Sequence, residues 1–223
     1  MNYSDVLASS IHDIKNSLSM VLSTLDEVLD DPGTQIADEK KARVLRFETS
    51  RANRSLVQLL MLYRMDKGEI SVNIMERNVE EFFEELVAEN QVLMEALDIC
   101  FTYECDPMLS GFFDEDLVHG VIGSAIGNAE RYTKDEICLS ARQEDGYLVF
   151  CLEDNGEGFP DFMLSEGEAL REDSAAFSSG STQLGLYFAA QVAGMHSDKE
   201  RKGFMRMDNE SRLGGARFEL WLP

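Results

Sequence analysis

Apolar residues Leu7, Ile11, Ile14, Leu18, Val21, Leu25 and Val28 recur at alternating steps of four and three. That is the heptad spacing of a helix-bundle seam. Asp30-Asp31-Pro32-Gly33 interrupts it, because Pro and Gly continue helices poorly. A second helical pattern runs from about 37 to 65, with Leu45, Ala52, Leu56, Leu59 and Tyr63 on one stripe. Two such helices joined by a short loop predict an antiparallel hairpin, and a homodimeric four-helix bundle is its natural closure. After Lys67-Gly68 the pattern changes. Strands are expected over 69–75, 98–104, 135–143, 146–153, 203–208 and 215–222, and helices over 80–97, 114–132 and 183–193. Asp145-Gly146 marks a tight hairpin, and 155–182 reads as a loop rich in Gly, Ser and acids. The fold class is therefore α+β: a helical hairpin over 1–67, then a sandwich over 68–223 with helices on one face of a sheet.

Charge sharpens the boundary. The 223 residues carry a formal net charge of −22. Residues 1–68 hold 10 acidic and 9 basic side chains, against 32 and 11 in the remainder. So acidic a surface repels nucleic-acid phosphates and anionic lipid heads, which disfavours both as partners. No apolar run is long enough to span a bilayer and no secretory leader is visible, so a cytoplasmic protein without membrane insertion is expected. Cys100, Cys105, Cys138 and Cys151 form no CxxC pair and read as four buried, reduced thiols.

Three constellations carry chemistry. With Ile11 and Ile14 in the seam, His12 and Asn16 lie one turn apart on the outward side, and Asp13 sits beside them. Asp13 could take the imidazole proton or fix its tautomer, leaving the other nitrogen nucleophilic. In GSAIGNAERYT, Asn128 offers a side-chain oxygen to Mg²⁺ and Arg131 a cation for phosphate, with Tyr132 following. In EDNGEGFP, Asp154 at a strand end could accept a hydrogen bond from a purine amino group, while Gly156 and Gly158 let the backbone pass close to a flat ring. Taken singly, each fragment also fits a plainer reading: a surface histidine, a polar helix cap, an Asx-Gly turn.

In order and spacing the strings HDIKNSL, GSAIGNAERYT, EDNGEGFP, QLGLYF and GGARFELWLP resemble the sensor histidine kinases of two-component systems over essentially the whole chain. The resemblance implies a dimerisation and phosphoacceptor hairpin followed by a GHKL-type (Bergerat) ATP-binding domain. It implies His12 as the phosphorylated residue, Asp13 as general base, and Asn16 as the group that positions water during dephosphorylation of a regulator. ATP with Mg²⁺ on Asn128 is implied, bound also by Arg131, Tyr132, Asp154, Gly156, Gly158 and the backbone of Leu184, Gly185 and Leu186, at the start of a helix whose amino end faces phosphate. The phosphoryl group is expected to pass to an aspartate of a response-regulator receiver domain, docked near Lys15 and Lys40-Lys41. Only eleven residues precede His12, so sensing is expected to reside elsewhere.

The sequence departs from the family pattern in three places. Ser124 stands where the kinases often have Asn and where gyrase and Hsp90 have a water-activating Glu. Ser181 and Gln183 replace glycines of the second glycine box. The segment before it carries Glu166, Glu168, Glu172 and Asp173 against one cation, Arg171. Without a carboxylate at Ser124, direct ATP hydrolysis is poorly served and transfer to histidine fits better. The altered glycine box and the acidic segment keep open an alternative, a histidine phosphotransfer or scaffold protein that binds ATP poorly. A third reading is a phosphatase-dominant member, for which Asn16 would matter more than Asp13. His196 is expected to be structural and His119 a helix-surface residue.

Overall fold

The computed structural model describes residues 3–30, 39–165, 183–198 and 200–223. The chain forms two units, Met1–Ile70 and Ser71–Pro223. In the first, α1 (Tyr3–Asp30) packs on α2 (Glu39–Asp66), with Ser19 Oγ donating to Asn53 Oδ1 at 3.5 Å near the middle of both. Each helix has 28 residues and is about 42 Å long. Residues 31–38 reach about 30 Å at full extension, too short to return the chain for a parallel pair, so the helices run antiparallel.

Within one chain only half of the predicted seam is covered. Ile11 is buried, yet Ile14, Val21 and Val28 are 51%, 49% and 43% exposed. On α2 the expected stripe is covered only in part by α1: Leu56 and Tyr63 are half-buried and Leu45, Ala52 and Leu59 exposed, whereas the polar Thr49 and Gln58 are buried. A single partner helix covers one side of each cylinder, and the polar Thr49 tolerates that side because its hydroxyl bonds the Leu45 carbonyl at 2.7 Å.

The second unit is a five-stranded sheet in the order β2-β4-β5-β7-β6, built from Cys100–Glu104, Glu136–Glu144, Tyr147–Asp154, Arg217–Leu222 and Phe204–Asp208. β2 and β4 are parallel and the other pairs antiparallel. The predicted turn is present: Asp145 and Gly146 have φ of 50° and 78°, the doubly positive pair of a two-residue hairpin. A separate ribbon pairs β1 (Met75–Asn78) with β3 (Ser110–Phe113). β3 was not expected, and β1 begins where the expected first strand ended. Both are four residues long and pair across a helix and a strand, a match that local alternation cannot reveal.

Helices α3 (Val79–Ala96), α4 (Glu115–Tyr132) and α5 (Gln183–Met195) supply the layer above the sheet. Phe150, central in the sheet, meets Phe82, Phe83 and Phe113 at ring-centroid distances of 5.7, 5.9 and 5.3 Å, all edge-on. Strand side chains alternate, so Leu152 and Asp154 share the helix-facing side with Phe150. The apolar face of β5 therefore ends in a carboxylate. Of the four free cysteines, Cys138 and Cys151 are buried, but Cys100 is exposed on the edge strand β2 and Cys105 is half-buried. Burial, reinforced by Glu153 and Glu219, pushes the Cys151 thiol up to about 12, which leaves it unreactive. Among the described residues, no helix is long and apolar enough to cross a membrane.

One buried polar joint sets the position of α4. Asp114 caps the helix, accepting from Leu117 N at 3.1 Å and from Asn73 N at 2.7 Å. Its own N–H donates to His196 Nε2 at 3.0 Å, while His196 Nδ1 lies 2.8 Å from the Val192 carbonyl and must carry the proton. Burial holds the pKa of His196 below its ordinary value. A histidine with a depressed folded pKa contributes stability that is present above about pH 6.5 and is lost as pH falls from there toward the folded pKa. Urea unfolding should therefore show His196→Gln destabilised by about 1–3 kcal/mol at pH 7.5, because the Asp114 N–H loses its acceptor. The gap between wild type and variant should narrow by pH 5, and a constant gap across that range would contradict the assignment.

Candidate functional site

α4 presents Val121, Ser124, Ala125, Asn128 and Tyr132 at helical spacing along one stripe. With Leu152, Asp154, Phe218 and Ala216 of the sheet end, Gly185, Leu186 and Ala189 of α5, and the Glu157–Met163 wall, they enclose a cavity of about 530 Å³. Its depth is apolar, and its rim carries Asn128, Arg131, Thr133, Lys134 and Glu157. That combination suits a flat apolar group inside and a charged group at the mouth.

Asp154 is the fixed polar point in the floor. It is 6% exposed. Its Oδ1 accepts from Gly156 N at 2.7 Å and Ala216 N at 3.2 Å. Its main-chain oxygen accepts from Ser211 Oγ at 2.9 Å and Gly215 N at 3.0 Å. Among the described residues Oδ2 makes no hydrogen bond, so one acceptor is held ready for a donor. The glycines nearby answer to the protein's own packing. A Cβ on Gly156 would lie 2.2 Å from the Tyr132 carbonyl, and one on Gly215 2.4 Å from Asp154 Oδ1. Gly158, at φ 84°, faces Asn209, whose amide brackets Phe159 by accepting from its N–H at 2.7 Å and donating to its carbonyl at 3.0 Å. The close approaches that exclude a side chain at Gly156 and Gly158 are thus to protein atoms.

Charge at the mouth is equally specific. Among the described arginines of residues 71–223, Arg77, Arg142, Arg201, Arg206, Arg212 and Arg217 each pair with a carboxylate. Arg131 pairs with none: its guanidinium lies over the Tyr132 ring, 5.2 Å from the centroid, and both line the cavity. Lys134, which sequence reading did not single out, lines it too. Asn128 is exposed, with no hydrogen bond to its side chain among the described residues. One neutral oxygen suits Mg²⁺ carried in by a phosphate chain, since that ion keeps several waters and needs few protein ligands. Among the described residues no cluster of His, Cys, Asp and Glu could hold a metal alone.

Gly185 and Leu186 line the cavity, whereas Leu184 is half-buried beside it. Ser181, the Gln183 side chain, and Glu166, Glu168, Arg171, Glu172 and Asp173 lie outside the described residues. Ser124 lines the wall, and the carboxylates among the described lining residues are Asp154 and Glu157. Besides Lys134, sequence reading missed Gly215 and Asn209. Gly215 sat in a string read as a fold marker, although its doublet with Gly214 was a usable signal. Asn209 offered none, because its partners are backbone atoms fifty residues away.

In the first unit, His12, Asp13 and Asn16 share the exposed side of α1. His12 Nδ1 lies 3.6 Å from Asp13 Oδ1 and 3.3 Å from Asn16 Nδ2, with the imidazole 53% exposed. Its Nε2 makes no hydrogen bond among the described residues. His119 bonds Glu89 at 2.8 Å on the helix surface.

Comparison with known proteins places these features. Residues 113–223 match the family described as histidine kinase-, DNA gyrase B-, and HSP90-like ATPase. The sensor protein SrrB of Staphylococcus aureus (strain N315) is 24% identical over 98% of this chain, and the aligned part is 38% of SrrB, so the chain spans well under half the length of such curated relatives. The Acinetobacter baumannii histidine kinase AdeS superposes with a TM-score of 0.59 at 15% identity, covering 95% of this chain and 96% of that one. Full-length ShkA in complex with AMPPNP gives 0.63 at 17%, covering 97% and 44%. A cavity floored by a fixed aspartate, a hairpin before it in the chain, and these likenesses agree: residues 113–223 carry a histidine kinase-, DNA gyrase B-, and HSP90-like ATPase domain, and the chain as a whole is similar to sensor histidine kinases.

Proposed function

We propose that the chain is a histidine kinase core that phosphorylates His12 from ATP and passes the phosphoryl group to a response-regulator aspartate. The observation that carries the reading is the cavity's polarity. A pre-fixed carboxylate with one open oxygen lies at an apolar floor, and the unit's one described arginine without an acidic partner lies at the mouth. Adenine, with an exocyclic amino donor, matches Asp154, and the triphosphate matches Arg131 and Lys134. Asn128 would hold Mg²⁺, which neutralises charge on the phosphates. Gly156, Gly158 and Gly215 keep the floor rigid, and the backbone of Leu184, Gly185 and Leu186 bounds the phosphate side.

At His12, a proton kept on Nδ1 and directed at Asp13, with the Asn16 amide N–H turned away from Nδ1, leaves the Nε2 lone pair free to attack. The Nε2–P bond forms as the bond from the γ-phosphorus to the bridging oxygen breaks, ADP leaves, and the Nδ1 proton passes to Asp13. Positioning and charge neutralisation supply most of the rate. Asn16, one turn away, is placed to orient water for the reverse task, dephosphorylation of the regulator. Residues 1–67 act as dimerisation and phosphotransfer domain and residues 68–223 as catalytic domain. The exposed Ile14, Val21, Val28, Leu45 and Leu59 favour a homodimer that completes a four-helix bundle. The near-neutral hairpin with Lys15 and Lys40-Lys41 suits an acidic receiver pocket.

A scaffold that binds ATP poorly is favoured by two features of the sequence, the replacement of glycines by Ser181 and Gln183 and the acidic Glu166, Glu168, Glu172 and Asp173 before them. Incubation with γ-labelled ATP and Mg²⁺ separates the two. The kinase incorporates acid-labile, base-stable label; His12→Ala abolishes it, and Asn128→Ala and Asp154→Ala reduce it severely. Arg131→Ala should weaken ATP binding about tenfold, the loss of one charge-assisted contact. Nucleotide that fails to bind at millimolar concentration would establish the scaffold instead. In sedimentation, the chain should run as a dimer and Val21→Asp/Leu59→Asp as a monomer; a wild-type monomer at high micromolar concentration would contradict the bundle.

A further inference from the structure

Behind the cavity, one side chain holds together two of its walls. Asn155 follows Asp154 but does not itself line the cavity. Its Oδ1 accepts from Thr133 Oγ1 at 2.8 Å, Lys134 N at 3.1 Å, Asp135 N at 3.2 Å and Glu136 N at 3.1 Å. Its Nδ2 donates to Asp135 Oδ1 at 2.7 Å. Three successive backbone N–H groups and a hydroxyl converge on one atom, a concavity of the kind that elsewhere captures anions. Here a neutral amide oxygen fills it.

The turn so organised joins the end of α4 to β4. It carries Thr133 and Lys134, and directly precedes them with Arg131 and Tyr132, all four lining the cavity. On the other side of the same joint stand Asp154 and Gly156, with Gly156 close-packed on the Tyr132 carbonyl. The sheet does not need this side chain. The β4–β5 ladder already runs to the Ile137–Asp154 pair, and Asn155 N bonds the Glu136 carbonyl at 3.2 Å. What the amide adds lies beyond the ladder's end: the path of residues 133–135, and with it the distance between the cations at the mouth and the carboxylate at the floor.

We infer that Asn155 is a positioning residue for nucleotide binding, setting the Thr133–Lys134 wall against Asp154 without touching the ligand. The inference rests on the cavity's being an ATP site. Removal of the amide leaves the Lys134, Asp135 and Glu136 N–H groups to water, which the half-exposed turn admits, so stability should change little while the wall loosens.

The test uses the full chain and a non-hydrolysable ATP analogue with Mg²⁺, together with KM and kcat for His12 phosphorylation. Asn155→Ala should raise Kd and KM roughly tenfold and leave kcat at saturation within about threefold, with a melting curve close to wild type. Asn155→Asp keeps the acceptor but sets a second carboxylate against Asp135, and should weaken binding similarly. The double variant Asn155→Asp/Asp135→Asn restores donor and acceptor in reversed order and should return Kd to within about threefold of wild type. Should Asn155→Ala not fold, the comparison of Asn155→Asp with the double variant decides. Unchanged Kd in the single variants, or a double variant no better than Asn155→Asp, would overturn the inference while leaving the ATP site standing. Loss of folding in every variant would overturn it as well, making the residue structural. Wild type that binds no nucleotide would remove both.

Discussion

The locking of the Asp154 carboxylate is the constraint around which the second unit is arranged. Strand alternation brings this side chain to the helix-facing side of β5, at the point where the apolar core of Phe150 and Leu152 gives way to an open cavity. A carboxylate in such a place is costly to bury unless hydrogen bonds compensate it. Two backbone amides do so at one oxygen, and the second makes no hydrogen bond among the described residues. This division explains why glycines crowd the region. Gly156 supplies one amide and must lie against Tyr132, while Gly215 passes within reach of the same carboxylate where no Cβ fits. The fold places the aspartate, and the loops around it are shaped to hold a charge there.

That arrangement also explains which parts were legible in the sequence. Asp154, Asn128 and Arg131 stand at the ends of long, strongly patterned elements, so periodicity placed them correctly. The Asp145-Gly146 turn was legible because two consecutive positive φ values demand that chemistry. Of the groups that fix Asp154, Gly156 was visible in the same motif and the distant ones were not. Ser211 and Ala216 act from 57 and 62 residues downstream, through backbone and hydroxyl contacts that leave no spacing to read. β3 escaped for the same reason, since a four-residue strand paired at long range has too little pattern of its own. On the hairpin the heptad was visible, but periodicity alone could not say which half of the seam α2 would cover. The exposed Ile14, Val21 and Val28 are the remainder, and a second copy of the chain would account for them.

The outer face of the sheet shows how the domain carries its acidity without losing cohesion. Glu219, on the central strand pair, is buried with Arg142 at 2.8 Å and the Trp221 indole donating at 3.0 Å. Arg212 spans Glu153 and Glu104, and Arg217 takes Asp208. Arginine suits this role because its guanidinium is planar, permanently charged and forked toward carboxylates. The cations of this acidic domain are thus largely committed to neighbours, and stray positive charge is scarce on its surface.

That commitment decides how so negative a protein could hold a triphosphate. Long-range repulsion between a strongly acidic domain and ATP is screened beyond about 8 Å at physiological ionic strength, so the net charge slows approach more than it weakens the bound state. Affinity depends on charges within contact distance. There the balance reverses: among the described residues Arg131 and Lys134 form no ion pair at the cavity mouth, and Asn128 presents an uncharged oxygen there that would suit a divalent ion. Glu157 opposes them from the far wall, which makes the placement of the two cations, and not their mere presence, the controlling variable. A cation displaced from 4 to 6 Å loses a third of its Coulomb attraction even before solvent enters. The turn that carries Lys134 therefore has to be held, and in this chain the holding group is a neutral amide whose oxygen can satisfy three backbone donors without adding another negative charge beside the phosphates.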